Sequence, residues 1–163
     1  MKSAILAAAL VSLSVSAGAQ DATYTVKLMT PETALVAAQA ALKHCRGLGY
    51  QVTVAVVDRS GIAQVVLRDR FAGPHTVRTA TGKAWTAASF RTSTADMVGV
   101  TQAGRPENGV RHLPGVVMIG GGIPIESGGT LVGAIGVSGA PGGAEDEHCA
   151  KAGVEAIRDA LEF

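Results

Sequence analysis

The chain has 163 residues, a formal net charge of +1 and 4% aromatic residues. A charge this close to zero argues against an extended basic surface for nucleic acid or an anionic membrane, and so few aromatic rings argue against recognition by base stacking. The length fits a single domain behind any targeting segment.

The N-terminus has the three parts of a secretory signal peptide. Lys2 supplies the positive charge, residues 4–15 form an apolar run, and 17–19 are small residues of the kind that precede a cleavage site. We therefore predict a signal peptide over 1–19 and one domain over 20–163, with a buried N-terminal helix as the alternative. Export predicts a periplasmic or secreted protein in an oxidising compartment.

The first half of the domain has clear helix and strand signals. Thr30 is suited to cap a helix that has Pro31 at its first position, and glycines at 47 and 49 end it. Its predicted apolar stripe consists of Leu35, Ala38, Leu42 and Cys45. Alternating apolar residues predict strands over 51–57 and 62–68, which a turn over 58–61 joins as a hairpin, and a helix follows over about 74–90.

The second half begins with a short helix, capped by Ser93 or Thr94 and ending near Val100, and a loop over 102–114 follows it. Strands are predicted over 116–119 and 130–137, and a final helix has the core stripe Ala150, Val154, Ile157 and Leu161. The short connections predict an α+β domain, with helices packed on an antiparallel sheet of about five strands.

Residues 120–139 contain eight glycines among apolar residues. A dinucleotide-binding loop needs a helix directly after its glycines, and here a strand pattern follows, which argues against a Rossmann site. Two interpretations are open. The bare strand accommodates a closely packed helix or subunit, or it offers a backbone surface that a flat ligand can approach.

His75 follows a Gly-Pro pair at the predicted start of a helix. The dipole at a helix N-terminus favours the neutral imidazole, which is the form that binds haem iron or another metal. Arg68 and Lys83 are candidates to pair with carboxylates such as haem propionates, and His112 is a candidate to join the same pocket. Each of these four residues has a surface or capping role as its alternative.

The two cysteines each follow a histidine, in His44-Cys45 and His148-Cys149. Neighbouring side chains on a helix point about 100° apart, so neither dipeptide readily chelates one ion. Buried free thiols, a disulfide between Cys45 and Cys149, and a metal site all remain open.

Several segments together resemble the GlcG/HbpS family of haem-binding and haem-degrading domains. They are residues 54–61, 67–76, 82–87, 120–125, 132–139 and 146–153. The resemblance implies an antiparallel sheet with packed helices, homo-oligomers, haem as a ligand, and a membrane sensor as partner in at least one relative. Haem ligation differs among relatives, so no axial ligand carries over.

This chain departs from the family pattern after the second strand. Many members have Asp-Gly-Ala where this chain has Arg70-Phe71-Ala72, followed by Gly73, Pro74 and His75. The departure makes His75 the first histidine to test.

Three hypotheses of function follow. The first is an exported protein that binds haem or another small ligand, with a redox- or haem-responsive role. The second is an enzyme for a small carbonyl or hydroxy compound, in a pocket formed by Arg68, His75, Lys83 and Glu126. The third is a non-catalytic accessory module that forms oligomers, for which the glycine-rich strand is the motive.

Overall fold

The computed structural model describes residues 22–162, in which one antiparallel sheet carries helices on both faces. The predicted signal peptide over 1–19 lies outside these residues. None of the helices within 22–162 has the length and apolar character to cross a membrane.

The sheet contains four strands in the order β2-β1-β4-β3, and every neighbouring pair is antiparallel. The elements in chain order are α1 (Pro31–Gly47), β1 (Thr53–Asp58), β2 (Ala63–Arg68), α2 (His75–Phe90), α3 (Thr94–Val100), a 3-10 helix (Pro106–His112), β3 (Gly122–Ser127), β4 (Thr130–Ser138), α4 (Gly143–Glu155) and α5 (Arg158–Leu161). The predicted α+β class is confirmed, with four strands rather than about five.

The difference in strand count comes from the predicted strand over 116–119, which is wrong. These residues lie beside α2, where the amide of Val117 donates to the hydroxyl oxygen of Thr86 at 2.9 Å instead of to a neighbouring strand. The glycine-rich segment supplies β3 in its place, and it joins β4 through a turn at Gly128 and Gly129, where both φ angles are positive.

The predicted helix caps are confirmed at two positions. Thr30 caps α1, because its hydroxyl accepts a hydrogen bond from the amide of Thr33 at 3.2 Å. Ser93 caps α3 through the amide of Asp96 at 3.1 Å. The predicted stripe of α1 is wrong at Leu35, which is 39% exposed.

The predicted Ala38, Leu42 and Cys45 are buried, and small residues form most of the buried side of α1. Alanines at positions 34, 37, 38 and 41 are buried there. A β-carbon added to Gly153 of α4 would lie 2.7 Å from the carbonyl oxygen of Ala37, so the two helices are in near-backbone contact. A leucine in that contact would push α1 and α4 apart.

A disulfide also joins these two helices. Cys45 of α1 and Cys149 of α4 are bonded, with their Cα atoms 5.5 Å apart, and both side chains are fully buried. Of the three states open to the cysteines, the folded chain has the disulfide. It closes a loop between positions 104 residues apart, which restricts the unfolded chain strongly.

The glycine-rich strand β4 lies at the centre of the fold. It pairs with β1 on one side and β3 on the other. Ile135 and Val137 belong to the core under α1 and α4, while Ala134 packs with Ala84 of α2 on the opposite face. Because all residues from Leu131 to Ser138 are buried, the structure supports the interpretation that the bare strand accommodates a closely packed helix.

Gly136 shows why β4 has a glycine where it faces α2. A β-carbon at this position would collide with the carbonyl oxygen of Ala80 and lie 2.6 Å from the amide nitrogen of Ala84, both in α2. Neither backbone atom belongs to a flexible group that can move aside. The absence of a side chain at Gly136 therefore sets how closely α2 approaches the sheet.

We predict that Gly136→Ala destabilises the domain by at least about 1–3 kcal/mol, as overpacking of a core does. Gly99→Ala is the matched control, because no atom lies within 4 Å of the added methyl group on α3. We expect this control to be neutral or stabilising by up to about 1 kcal/mol. Urea unfolding measures both, and equal midpoints for the two variants would refute the close contact.

Candidate functional site

A cavity of about 610 Å³ opens where the start of α2, the segment after α1 and the β4–α4 connection meet. This volume lies within the range of small-molecule sites. Its walls include Tyr50, Phe71, His75, Thr76, Lys83, Ser138 and Asp146, together with the glycine-rich connection 139–143. Two aromatic rings, one imidazole and one ion pair thus share a single depression.

His75 is the first residue of α2, and its side chain is exposed. The imidazole lies over Gly73, where an added β-carbon would be 2.6 Å from Cε1 and 2.8 Å from Nδ1. Any larger residue at position 73 would therefore displace the ring. The Gly-Pro pair before α2 makes room for this imidazole at the cavity.

Hydrogen bonds of the neighbouring Thr76 hold the backbone around His75. Thr76 forms a buried hydroxyl–hydroxyl hydrogen bond of 2.7 Å with Thr53 of β1, and its hydroxyl also lies 2.6 Å from the carbonyl oxygen of Gly73. These contacts tie the first turn of α2 to the sheet. The position of His75 is therefore set by buried polar contacts as well as by its own loop.

Lys83 and Asp146 form a buried ion pair in the floor of the cavity. The Lys83 Nζ donates to Asp146 Oδ2 at 2.6 Å and to the carbonyl oxygen of Val137 at 2.9 Å. The other carboxylate oxygen accepts from the amide of Ala140 at 3.0 Å. The pair thus joins α2, β4 and α4, and it fixes the connection that forms one cavity wall.

Burial dominates the electrostatics of this pair. It lowers the pKa of Lys83 below the ordinary amine value, although the hydrogen bond and charge of Asp146 act in the opposite direction. It raises the pKa of Asp146, against the hydrogen bond and charge of Lys83. The two groups are hydrogen-bonded to each other, so neither is free to balance a ligand's charge.

The remaining residues proposed from the sequence lie elsewhere. Arg68 ends β2 and donates to the carbonyl oxygen of Ala72, so it orders the loop before α2. His112 ends the 3-10 helix, and Glu126 is exposed on β3. None of these three lines the cavity, which brings together His75 and Lys83 alone among the five predicted ligand-binding residues.

Several parts of the site are not recognisable from the sequence alone. Tyr50 has no signal beyond being aromatic, and Phe71 stands out only in the departure from the family pattern. The β4–α4 connection is recognisable only as a glycine-rich segment before the last helix. Arg70 also lies near the site, with its guanidinium 5.8 Å from the centre of the Phe71 ring. No signal in the sequence identifies Asp146 as the partner of Lys83, because 63 residues separate the two.

A second depression, of about 590 Å³, lies on another side of α2. Val77, Trp85 and Val117 line it, and Arg78 is the ionisable side chain at its edge. It has no imidazole, carboxylate or thiol among its lining residues. The cavity beside His75 is therefore the better candidate for metal or cofactor chemistry.

Both the sequence and the fold of this chain are similar to those of known proteins. The model of a family described as haem degrading protein HbpS-like matches residues 29–155. A crystal structure of an HbpS double mutant from Streptomyces reticuli is 35% identical, with a TM-score of 0.79, and the match covers 90% of this chain and 98% of that one.

A crystal structure of a PduOC–heme complex is 31% identical, with a TM-score of 0.76 over 80% of this chain and 96% of that one. The corrinoid adenosyltransferase PduO of Salmonella typhimurium is 36% identical over 103 residues. That match covers 62% of this chain and 31% of the relative, so the chain spans about a third of the transferase's length.

We predict that Lys83→Met destabilises the domain by about 3–5 kcal/mol, because it leaves the Asp146 carboxylate buried without a partner. The double variant Lys83→Met/Asp146→Leu should recover most of the loss, since replacing both ions removes the unpaired charge. Thermal and urea unfolding measure both variants.

Lys151→Met is the matched control for this test. It breaks the ion pair of Lys151 with Glu147, in which the lysine is 65% exposed, and a pair open to solvent contributes about 0–1 kcal/mol. If Lys83→Met is no more destabilising than this control, the ion pair does not hold the cavity wall.

Proposed function

Because this chain belongs to the HbpS-like family of haem degrading proteins, we propose that it binds haem in the cavity beside α2, with His75 as the iron ligand. The observation that carries the proposal is the exposed imidazole of His75 in a 610 Å³ cavity, in a chain 31% identical to a relative solved as a heme complex. A neutral imidazole is the usual protein ligand of haem iron.

The walls of the cavity suit a large flat ring. Tyr50 and Phe71 provide apolar and aromatic surface, and the connection 139–143 adds a wall with little side-chain bulk. The Lys83–Asp146 pair is neutral as a unit and lies almost wholly buried beneath. The interior therefore accommodates the apolar macrocycle without contributing a free charge.

The propionates of the bound haem would point outward in this arrangement. Lys83, which with Arg68 was a candidate partner from the sequence, is occupied by Asp146. Arg70 replaces it in our proposal, because its guanidinium lies over Phe71 at the edge of the cavity and its side chain is exposed. A guanidinium forms bidentate hydrogen bonds with a carboxylate.

We further propose that the protein acts outside the cytoplasm, in the periplasm or as a secreted protein. The signal-peptide pattern over 1–19 supports this, and so does the buried Cys45–Cys149 disulfide, because disulfides persist in oxidising compartments. Homo-oligomerisation, a redox- or haem-responsive role and a membrane sensor partner stay predictions from the family resemblance.

Titration of the mature protein with hemin should give a saturable shift of the Soret band at micromolar protein. His75→Ala should change the band position and weaken binding by at least about tenfold, as loss of a metal ligand's support does. His112→Ala is the control, because it removes an exposed histidine that does not line the cavity. A His75→Ala spectrum identical to that of the parent protein would exclude His75 as the ligand.

Expression of the full chain in a bacterium, followed by fractionation, tests the proposed export. We expect the protein in the periplasmic fraction or the medium, with an intact mass that corresponds to a chain starting at Gln20 and to two fewer hydrogens for the disulfide. A cytoplasmic product that retains Met1–Ala19 would contradict the proposal.

A further inference from the structure

Two histidines meet on the outer side of the contact between α1 and α4. His44 lies in the last turn of α1 and His148 lies in α4, with their ring centroids 4.8 Å apart and their planes inclined by 53°. Neither residue lines the cavity beside His75. The pair is therefore separate from the site proposed for haem.

The fold holds this pair in place. Each histidine directly precedes a half-cystine of the disulfide between Cys45 and Cys149. The near-backbone contact of Gly153 with Ala37 further limits the separation of the two helices. Both imidazoles are thus attached to helices that cannot slide apart without breaking a covalent link.

The imidazole of His44 has unused bonding capacity. Its Nε2 is buried, and it has no hydrogen-bond partner within the described residues 22–162. A buried polar atom without a partner is costly and needs an explanation, such as a missing ion. His44 and His148 also share a depression of about 310 Å³ with Lys151, Ala152 and Glu155.

We propose that His44 and His148 together bind a divalent transition-metal ion with a preference for imidazole, such as Zn²⁺ or Cu²⁺. A metal–nitrogen bond is about 2.0 Å long, and a ring nitrogen lies about 1.1 Å from the imidazole centre. Two imidazoles bound to one ion with a nitrogen–metal–nitrogen angle of roughly 100–110° therefore have centroids about 4.8–5.2 Å apart. The observed separation of 4.8 Å lies in this interval.

The site is a two-histidine site completed by water. Within residues 22–162 no three or more His, Cys, Asp and Glu side chains converge as a ready metal cage. Neither cysteine is available as a metal ligand, because both sulfurs are in the disulfide and a bonded sulfur is not a thiolate. An open coordination sphere is more typical of an exchangeable or reactive metal than of a structural one.

The surrounding charges permit a cation. Lys151 lies in an ion pair with Glu147 at 2.7 Å, and Arg158 lies in one with Glu155. Lys151, the basic side chain that lines the depression, is thus offset by a carboxylate. Glu155 is also within the depression, where its carboxylate can accept hydrogen bonds from the metal-bound water.

Calorimetric titration of the untagged mature protein with zinc chloride tests the proposal. We expect one saturable zinc site per chain. His148→Ala should lower the zinc affinity at least about tenfold, because loss of a group that only supports a metal ligand already costs that much. His148 is exposed, so this variant retains the fold whether or not His44→Ala does. His112→Ala should bind zinc as the parent protein does.

A spectroscopic test distinguishes shared ligation from accidental binding. With one equivalent of Cu²⁺, the electron paramagnetic resonance spectrum should show nitrogen couplings from two imidazoles in the parent protein and from one in His148→Ala. Undiminished zinc affinity in His148→Ala, or no saturation of the parent protein at millimolar zinc, would overturn the proposal and leave the pair as a packing contact. Neither test depends on hemin or on His75, so its failure is separate from failure of the haem proposal.

Discussion

The contact between the backbone of α2 and the glycine-rich strand β4 is the constraint on which the rest of the structure depends. Gly136 allows the helix to lie against the strand at the level of Ala80 and Ala84, with no side chain between them. That approach carries Lys83 to the end of β4 and leaves His75, at the N-terminus of the same helix, beside the cavity. A more distant helix would place neither residue correctly.

The two faces of the sheet are stabilised in different ways. On the α2 face, the buried ion pair of Lys83 with Asp146 ties the helix to the β4–α4 connection. On the other face, the disulfide of Cys45 with Cys149 and a stripe of small residues bind α1 to α4. Because α4 takes part in both, the cavity wall and the helix pair are mechanically linked through one element.

The elements that depend on local chemistry could be predicted from the sequence, and those that depend on long-range partners could not. The Thr30 cap and the alternation in β1 and β2 are short-range signals, so they predicted these elements to within about two residues. The strand over 116–119 was wrong because Val117 bonds to Thr86 of α2. The ion pair was missed since Lys83 and Asp146 are 63 positions apart, and a pattern along the chain does not contain that contact.

The proposed site divides in the same way: the local sequence suggests His75 as a ligand, whereas the aromatic walls and the partner of Lys83 become apparent only in the fold. The most direct test of the central claim is a crystal structure of the mature protein soaked or co-crystallised with hemin. The account predicts a macrocycle between Tyr50, Phe71 and the connection 139–143, with iron bonded to the His75 imidazole at about 2.0 Å. Haem bound at another surface, with His75 uncoordinated and this cavity empty, would contradict it.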